Sequence, residues 1–195
     1  YYGGGLELMN EFYGTHNLIA FPTGNTGAQM GGWFRKEIKS LADLKGLKFR
    51  IAGIAGQVLA RLGVVTQQIP ASDIYPSLEK GTIDAAEWVG PYDDEKLGFN
   101  KVAKYYYYPG FWEGCAQVSV YINLKQWEAL PKDYQAVLET ACALAQIGMQ
   151  ARYDVKNPQD MRRLIASGTQ LRPFPKDVLA AAEKEAFALY DEIAA

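Results

Sequence analysis

Leu47-Lys48-Phe49-Arg50-Ile51-Ala52-Gly53 is the stretch on which the fold turns. Apolar and polar residues alternate through position 51, the period of a strand with one face buried. Residues 54–62 then read as a short helix closed by Gly63. Upstream, Ser40-Leu41-Ala42-Asp43-Leu44-Lys45-Gly46 reads as a helical turn, with Ser40 as N-cap, Asp43 completing a capping box and Gly46 ending it. Downstream, Val64-Val65 starts another strand, Ser72-Asp73 caps a helix running to Lys80, Gly81 stops it, and residues 82–88 are again extended. Residues 40–90 therefore read turn, strand, helix, strand, helix, strand, which is an α/β unit.

Outward from this unit the signals continue. Residues 6–12 read as the end of a helix turned at Gly14. Leu18-Ile19-Ala20-Phe21 is a buried strand stopped by Pro22, and residues 22–27 are rich in turn formers. Tyr105-Tyr106-Tyr107-Tyr108 and residues 117–122 add two strands. Pro131 starts a long helix, the position proline prefers. Tyr134, Val137, Leu138, Ala141, Leu144, Ala145, Gly148 and Met149 recur at three- and four-residue steps and predict one inward apolar face. Pro158 is expected to break that helix and start the next. Residues 170–173 read as a short strand. Residues 176–195 form a last helix with Val178, Leu179, Ala182, Ala186, Leu189 and Ile193 inward. No internal repeat or low-complexity linker interrupts the chain; its character changes from α/β before residue 125 to mostly helical after it.

The 195 residues are 49% hydrophobic and 22% charged, with a formal net charge of −2. That balance is an ordinary globular one, and it offers no basic patch to nucleic acid. Apolar runs fall far short of the ~18 residues that span a membrane. The 13 tyrosines suit the rigid walls of a pocket, and equally strands and cores. Cys115 and Cys142 match no metal motif and are expected to be two buried free thiols, although a disulfide is permitted outside the cytoplasm. The opening Tyr1-Tyr2-Gly3-Gly4-Gly5 carries neither Met nor signal peptide, and the chain closes inside an amphipathic helix. The reading is of an internal piece of a longer protein.

No catalytic constellation is visible. His16 is the single histidine and reads as a surface or turn residue. Gly24-Asn25-Thr26-Gly27 is not a phosphate loop, because no Gly-Lys-Ser/Thr follows. What remains is one cation and several acids near strand ends. Arg50 lies at the carboxyl end of a strand, where open α/β sheets bind ligands, and its planar fork grips a carboxylate with two parallel bonds. From the pattern alone, Arg50 reads first as a solvent-facing arginine sharing a face with Lys48. Glu87 follows Ala85-Ala86 in an apolar strand and must be paired or metal-bound if buried. Glu113 sits in Phe111-Trp112-Glu113-Gly114. These two acids and a neutral oxygen donor such as Gln29 could hold a hard cation, Na⁺ or Ca²⁺; two surface glutamates are the bland alternative.

Several stretches resemble the solute receptors of tripartite ATP-independent periplasmic (TRAP) transporters. They are Gly24-Asn25-Thr26-Gly27-Ala28-Gln29-Met30-Gly31-Gly32-Trp33-Phe34, Gly46-Leu47-Lys48-Phe49-Arg50, and the run from Asp73-Ile74-Tyr75-Pro76 to Asp84-Ala85-Ala86-Glu87-Trp88. Val89-Gly90-Pro91-Tyr92-Asp93-Asp94-Glu95-Lys96-Leu97-Gly98 is similar to the branch that binds 2-oxo acids such as pyruvate. The resemblance implies a periplasmic-binding-protein-like α/β fold, a mixed sheet with flanking helices. It implies most of a two-domain receptor, without the first half of the amino-terminal domain and without a carboxy-terminal helical tail. Residues 1–88 would be mainly the ligand-binding α/β domain, 89–125 crossing strands and a partial return to the first domain, and 126–195 the helical part completing the second.

The resemblance also implies a site. Arg50 would pair with the ligand carboxylate, and a Na⁺ or Ca²⁺ ion would bridge protein and ligand through the Gln29 side chain, Glu87, the Trp88 carbonyl and Glu113. Ligand contacts would fall on Arg50, Gln29, Glu87 and Trp88. The protein would be periplasmic and not an enzyme. It would deliver a small monocarboxylate to the membrane subunits of the transporter, and the full-length protein could form a homodimer. Two other readings stand beside this one. A carboxylate-pair hydrolase would use Glu87 and Glu113 as acid and base on a small sugar, but leaves Arg50 without a role. A receptor of ATP-driven type would take a neutral sugar.

Overall fold

The structure is a computed structural model and describes residues 2–195. In chain order the elements are α1 (Gly5–Gly14), β1 (Leu18–Asn25), β2 (Gly32–Phe34), β3 (Lys48–Arg50), α2 (Gly53–Arg61), β4 (Val65–Gln67), α3 (Ala71–Lys80), β5 (Ala85–Ala86), α4 (Pro91–Leu97), β6 (Tyr105–Tyr108), β7 (Gln117–Asn123), α5 (Leu124–Glu128), α6 (Lys132–Ala166), β8 (Gln170–Pro173) and α7 (Lys176–Ala194). Two compact units result among the described residues, one of the chain up to residue 27 with 115–155, the other of residues 28–114 with 156–195. The compact units change at 27, 114 and 155.

The larger unit is built on a six-stranded sheet in the order β4-β3-β5-β2-β6-β8. β3 runs parallel to β4 and β5, β2 is antiparallel to β5 and β6, and β6 and β8 are parallel. The sheet is mixed, as expected. Neighbouring residues on a strand point to opposite faces, and here both faces are covered. Phe34, Phe49, Ala85 and Tyr107 join one cluster with Leu59 of α2 and Val178 of α7. Trp33, Ala86 and Tyr106 join another with Ile74 and Leu78 of α3 and Leu164 of α6. Trp33 and Tyr106 sit opposite in register and stack with ring centroids 3.9 Å apart. A strand buried on both faces reads as continuously apolar, which is what the tyrosine run achieves.

The smaller unit carries a two-stranded antiparallel sheet of β1 and β7. Phe21, Trp127 and Cys142 pack together beside it. β1 does not stop at Pro22: it continues to Asn25, with a register shift between Pro22 and Gly24. A two-stranded sheet has only edges, where a missing N–H is tolerated.

Other expectations are corrected as well. α6 does not break at Pro158. The ring removes one intrahelical bond, but the helix continues to bury Leu164 completely in the second cluster, and packing overrides local propensity. The apolar stripe on α6 is not inward: Tyr134, Val137, Leu138 and Leu144 are exposed. Gln135 and Cys142 face in instead, because the Gln135 amide donates to the Trp127 and Leu130 carbonyls at 2.8 and 3.1 Å. α3 begins at Ala71 behind Pro70, without a cap from Ser72, whose hydroxyl bonds Asp73 instead. Cys142 is buried but Cys115 is exposed, and both are free; strand β7, which starts two residues later, is largely exposed on both faces, so no core is there to enclose Cys115. On α7, Val178, Ala182 and Leu189 are buried while Ile193 is exposed. Among the described residues no helix is long and apolar enough to cross a membrane.

Candidate functional site

Arg50 ends β3, between Gln67 of β4 and Ala86 of β5. Its side chain is 14% exposed, whereas Lys48 on the same strand face is in solvent, so the solvent-facing reading of Arg50 does not hold. Glu87 and Trp88, the two residues just past β5, cause the difference. The Glu87 amide donates to the Arg50 carbonyl at 3.0 Å. Arg50 Nη1 donates to the Glu87 carbonyl at 2.7 Å and to Glu87 Oε2 at 3.3 Å. The guanidinium lies 4.9 Å from the centroid of the Trp88 ring, an attraction that strengthens when desolvated. Arg50 Nε is buried and has no hydrogen-bond partner. An unanswered buried donor costs roughly 1–3 kcal/mol, so this arginine keeps capacity for a further acceptor.

Glu87 is buried at 6% exposure. Burial, with the neighbouring Glu113 carboxylate, pushes its carboxyl up to about 8 despite the opposing pull of Arg50. Burial also raises Glu113, again against Arg50. A buried acid, Glu87, and a half-buried one, Glu113, thus crowd beside one arginine. Gln29, 6% exposed, joins them through the main chain: its N–H donates to the Glu113 carbonyl at 3.3 Å, its carbonyl accepts from Gly110 at 3.2 Å, and Met30 N–H donates to the Val89 carbonyl at 3.1 Å. Gly110 permits this approach, since a Cβ there would lie 2.6 Å from the Gln29 carbonyl oxygen. Arg50, Glu87 and Trp88 thus touch directly, Glu113 acts on Glu87 through its charge, and Gln29 is stitched to Glu113. All five fall in the larger unit.

A family model for bacterial extracellular solute-binding protein, family 7, matches residues 4–195. The chain belongs to this family. It is 53% identical over 192 residues to a monocarboxylate 2-oxoacid-binding periplasmic protein of Nostoc sp., covering 98% of the chain and 53% of that protein. A TRAP transporter solute-binding protein from Bordetella bronchiseptica, described with copurified calcium and picolinate in its active site in a mixed-occupancy dimer, superposes with a TM-score of 0.94 at 58% identity, over 98% of this chain and 57% of that one. A TRAP periplasmic solute-binding protein from Pseudoalteromonas atlantica, described with bound sodium and pyruvate, has a TM-score of 0.93 at 44% identity, over 100% of this chain and 59% of that one. The chain spans somewhat more than half the length of these relatives.

Within this family-7 chain, oxygen is the only ligand chemistry the site offers. Among the described residues no group of three or more His, Cys, Asp or Glu could hold a metal. Two carboxylates, an amide and a main-chain carbonyl suit a hard cation and not a soft one. The crowded pair of acids, one buried and one half-buried, fits such an ion.

Asp94 is a residue that sequence reading passed over. It is 1% exposed; Oδ2 accepts from Trp33 Nε1 at 2.9 Å and Tyr106 O–H at 2.6 Å, and Oδ1 from Val89 N–H at 3.3 Å. It thereby fixes the main chain just after Trp88. Burial pushes its carboxyl up to about 6, with the three donors pulling the other way. Pro91 at the start of α4 marks the helix, but nothing in Asp93-Asp94 says which acid turns inward.

Proposed function

We propose that the protein is an extracytoplasmic, periplasmic receptor that binds a small monocarboxylate 2-oxo acid such as pyruvate together with Na⁺ or Ca²⁺. It delivers the acid to the membrane subunits of a TRAP-type transporter, and in full length it can pair with a second copy. The observation that carries this reading is Arg50: a largely buried guanidinium 4.9 Å from the Trp88 ring centroid, tied to Glu87 through Nη1, with Nε still unanswered among the described residues. Charged hydrogen bonds in a water-poor site are the strong ones, and a ligand carboxylate supplies the missing acceptor.

Gln29, Glu87, the Trp88 carbonyl and Glu113 would hold the cation. Bound there, the ion supplies positive charge for the two acids and for an electron-rich ligand oxygen. Arg50 orients the carboxylate, and the Trp88 ring shields the guanidinium from water. Relatives described with calcium or sodium and with picolinate or pyruvate support the ligand class.

No observation favours the hydrolase. The family is one of binding proteins. Titration calorimetry with pyruvate, longer 2-oxo acids and neutral sugars tests the proposal. We expect saturable binding of 2-oxo acids without turnover; binding of sugars in their place would overturn it.

A further inference from the structure

We infer that the protein carries a second site, for a phosphate-type anion, at the opposite end of the six-stranded sheet from Arg50. Arg50 lies where β3 ends. The pairings make β6 and β8 parallel to each other and β2 antiparallel to β5 and β6, so the end of β2 and the starts of β6 and β8 gather at the other edge. A cavity of about 400 Å³ opens there. Arg35 and Lys36 reach it from beyond β2, Lys101 and Lys104 from the turn before β6, and Ser167 and Thr169 from the link between α6 and β8.

Three observations distinguish it from an ordinary solvated charge cluster. Four full positive charges line the cavity and no acid does, on a chain whose net charge is −2. None of the four cations takes part in an ion pair among the described residues, although the same chain pairs Arg61, Arg163 and Arg172 with glutamates. Thr169 is the buried polar member, 8% exposed, and its hydroxyl has no hydrogen-bond partner. Nothing among the described residues answers that donor.

The carboxyl end of α6 opposes anion binding with about half a negative charge. That is small against four full cations, and the carbonyls of Arg163, Leu164 and Ile165 are already taken by the N–H groups of Ser167, Thr169 and Gly168. A tetrahedral anion with several acceptor oxygens answers both the cations and the hydroxyl. Free inorganic phosphate and a phospholipid headgroup share that chemistry. The 2-oxo acid site is separate, so the two assignments stand or fall independently.

The test titrates inorganic phosphate into the protein at low ionic strength. Cosedimentation with phosphatidylglycerol vesicles and with phosphatidylcholine vesicles runs in parallel. We expect one phosphate per chain. Lys101→Gln with Lys104→Gln should weaken it at least about tenfold, the size of one lost charged hydrogen bond. Thr169→Val should weaken it severalfold, and Thr169→Ser should restore it, while pyruvate affinity stays unchanged in every variant. Cosedimentation with phosphatidylglycerol alone, competed by phosphate, makes the source a headgroup; phosphate binding without cosedimentation makes it the free anion. Absence of both kinds of binding would overturn the site. So would binding indifferent to the lysine pair, or binding that Thr169→Val leaves intact, since either describes a diffuse charge effect.

Discussion

A guanidinium out of water needs its donors answered, and among the described residues Arg50 has Nη1 answered by Glu87 while Nε is not. Arg50→Lys keeps the charge but replaces the fork with a point donor. Loss of one charged bond of roughly 1.5–3 kcal/mol should weaken 2-oxo acid binding at least about tenfold by calorimetry; unchanged affinity would remove Arg50 from the site. Asp94 makes a prediction of the opposite kind. Its folded value of about 6 lies above the ordinary 3.8 of an aspartate, so the folded state holds the proton more tightly than the unfolded one. The stabilisation is full below pH ~4 and fades as pH rises through ~6, by up to about 3 kcal/mol at roughly 1.36 kcal/mol per unit. Urea unfolding of the protein and of Asp94→Asn between pH 4 and 7 should show the parent losing stability relative to the variant as pH rises. Parallel curves would mean Asp94 keeps an ordinary value in the fold.

At the scale of elements, β2 depends on a residue without a side chain. Gly32 has φ +112°, and a Cβ there would lie 2.7 Å from the Ala86 carbonyl oxygen and 3.2 Å from Glu87 Cα. Gly32→Ala should therefore cost about 1–3 kcal/mol through overpacking and loosen the strand that leads into Glu87. Denaturation followed by tryptophan fluorescence checks it, since Trp33, Trp88 and Trp112 all belong to the larger unit; an unshifted midpoint would mean β2 and β5 can part without loss. The elements legible in the sequence are those with a local signal. β3 shows its alternation, α2 its closing glycine and α7 its spacing through Val178, Ala182 and Leu189. Pro22 and Pro158 mislead because a bulged edge strand and the packing of Leu164 decide those places, and both are distant contacts. The stripe on α6 misleads for the same reason: period tells that a face is apolar, not that anything covers it. At the site, Arg50, Glu87, Glu113 and Gln29 can be named from their neighbours and from a family resemblance. Asp94 cannot, because its three donors come from residues 33, 89 and 106.

On the scale of the whole molecule, the proposed function makes cation and carboxylate binding one linked event. Two acids whose carboxyls burial raises favour an added positive charge, and an acid ligand beside them favours it further. Linkage requires each to raise the other's affinity by the same factor, commonly about 5–150-fold. The decisive measurement is a calorimetric titration of pyruvate into the receptor with Ca²⁺ or Na⁺ present, repeated with the cation removed, and matched by a cation titration with and without pyruvate. We predict tighter pyruvate binding with the cation and an equal gain in the reciprocal experiment. Pyruvate affinity that is the same with and without the cation would contradict the linkage.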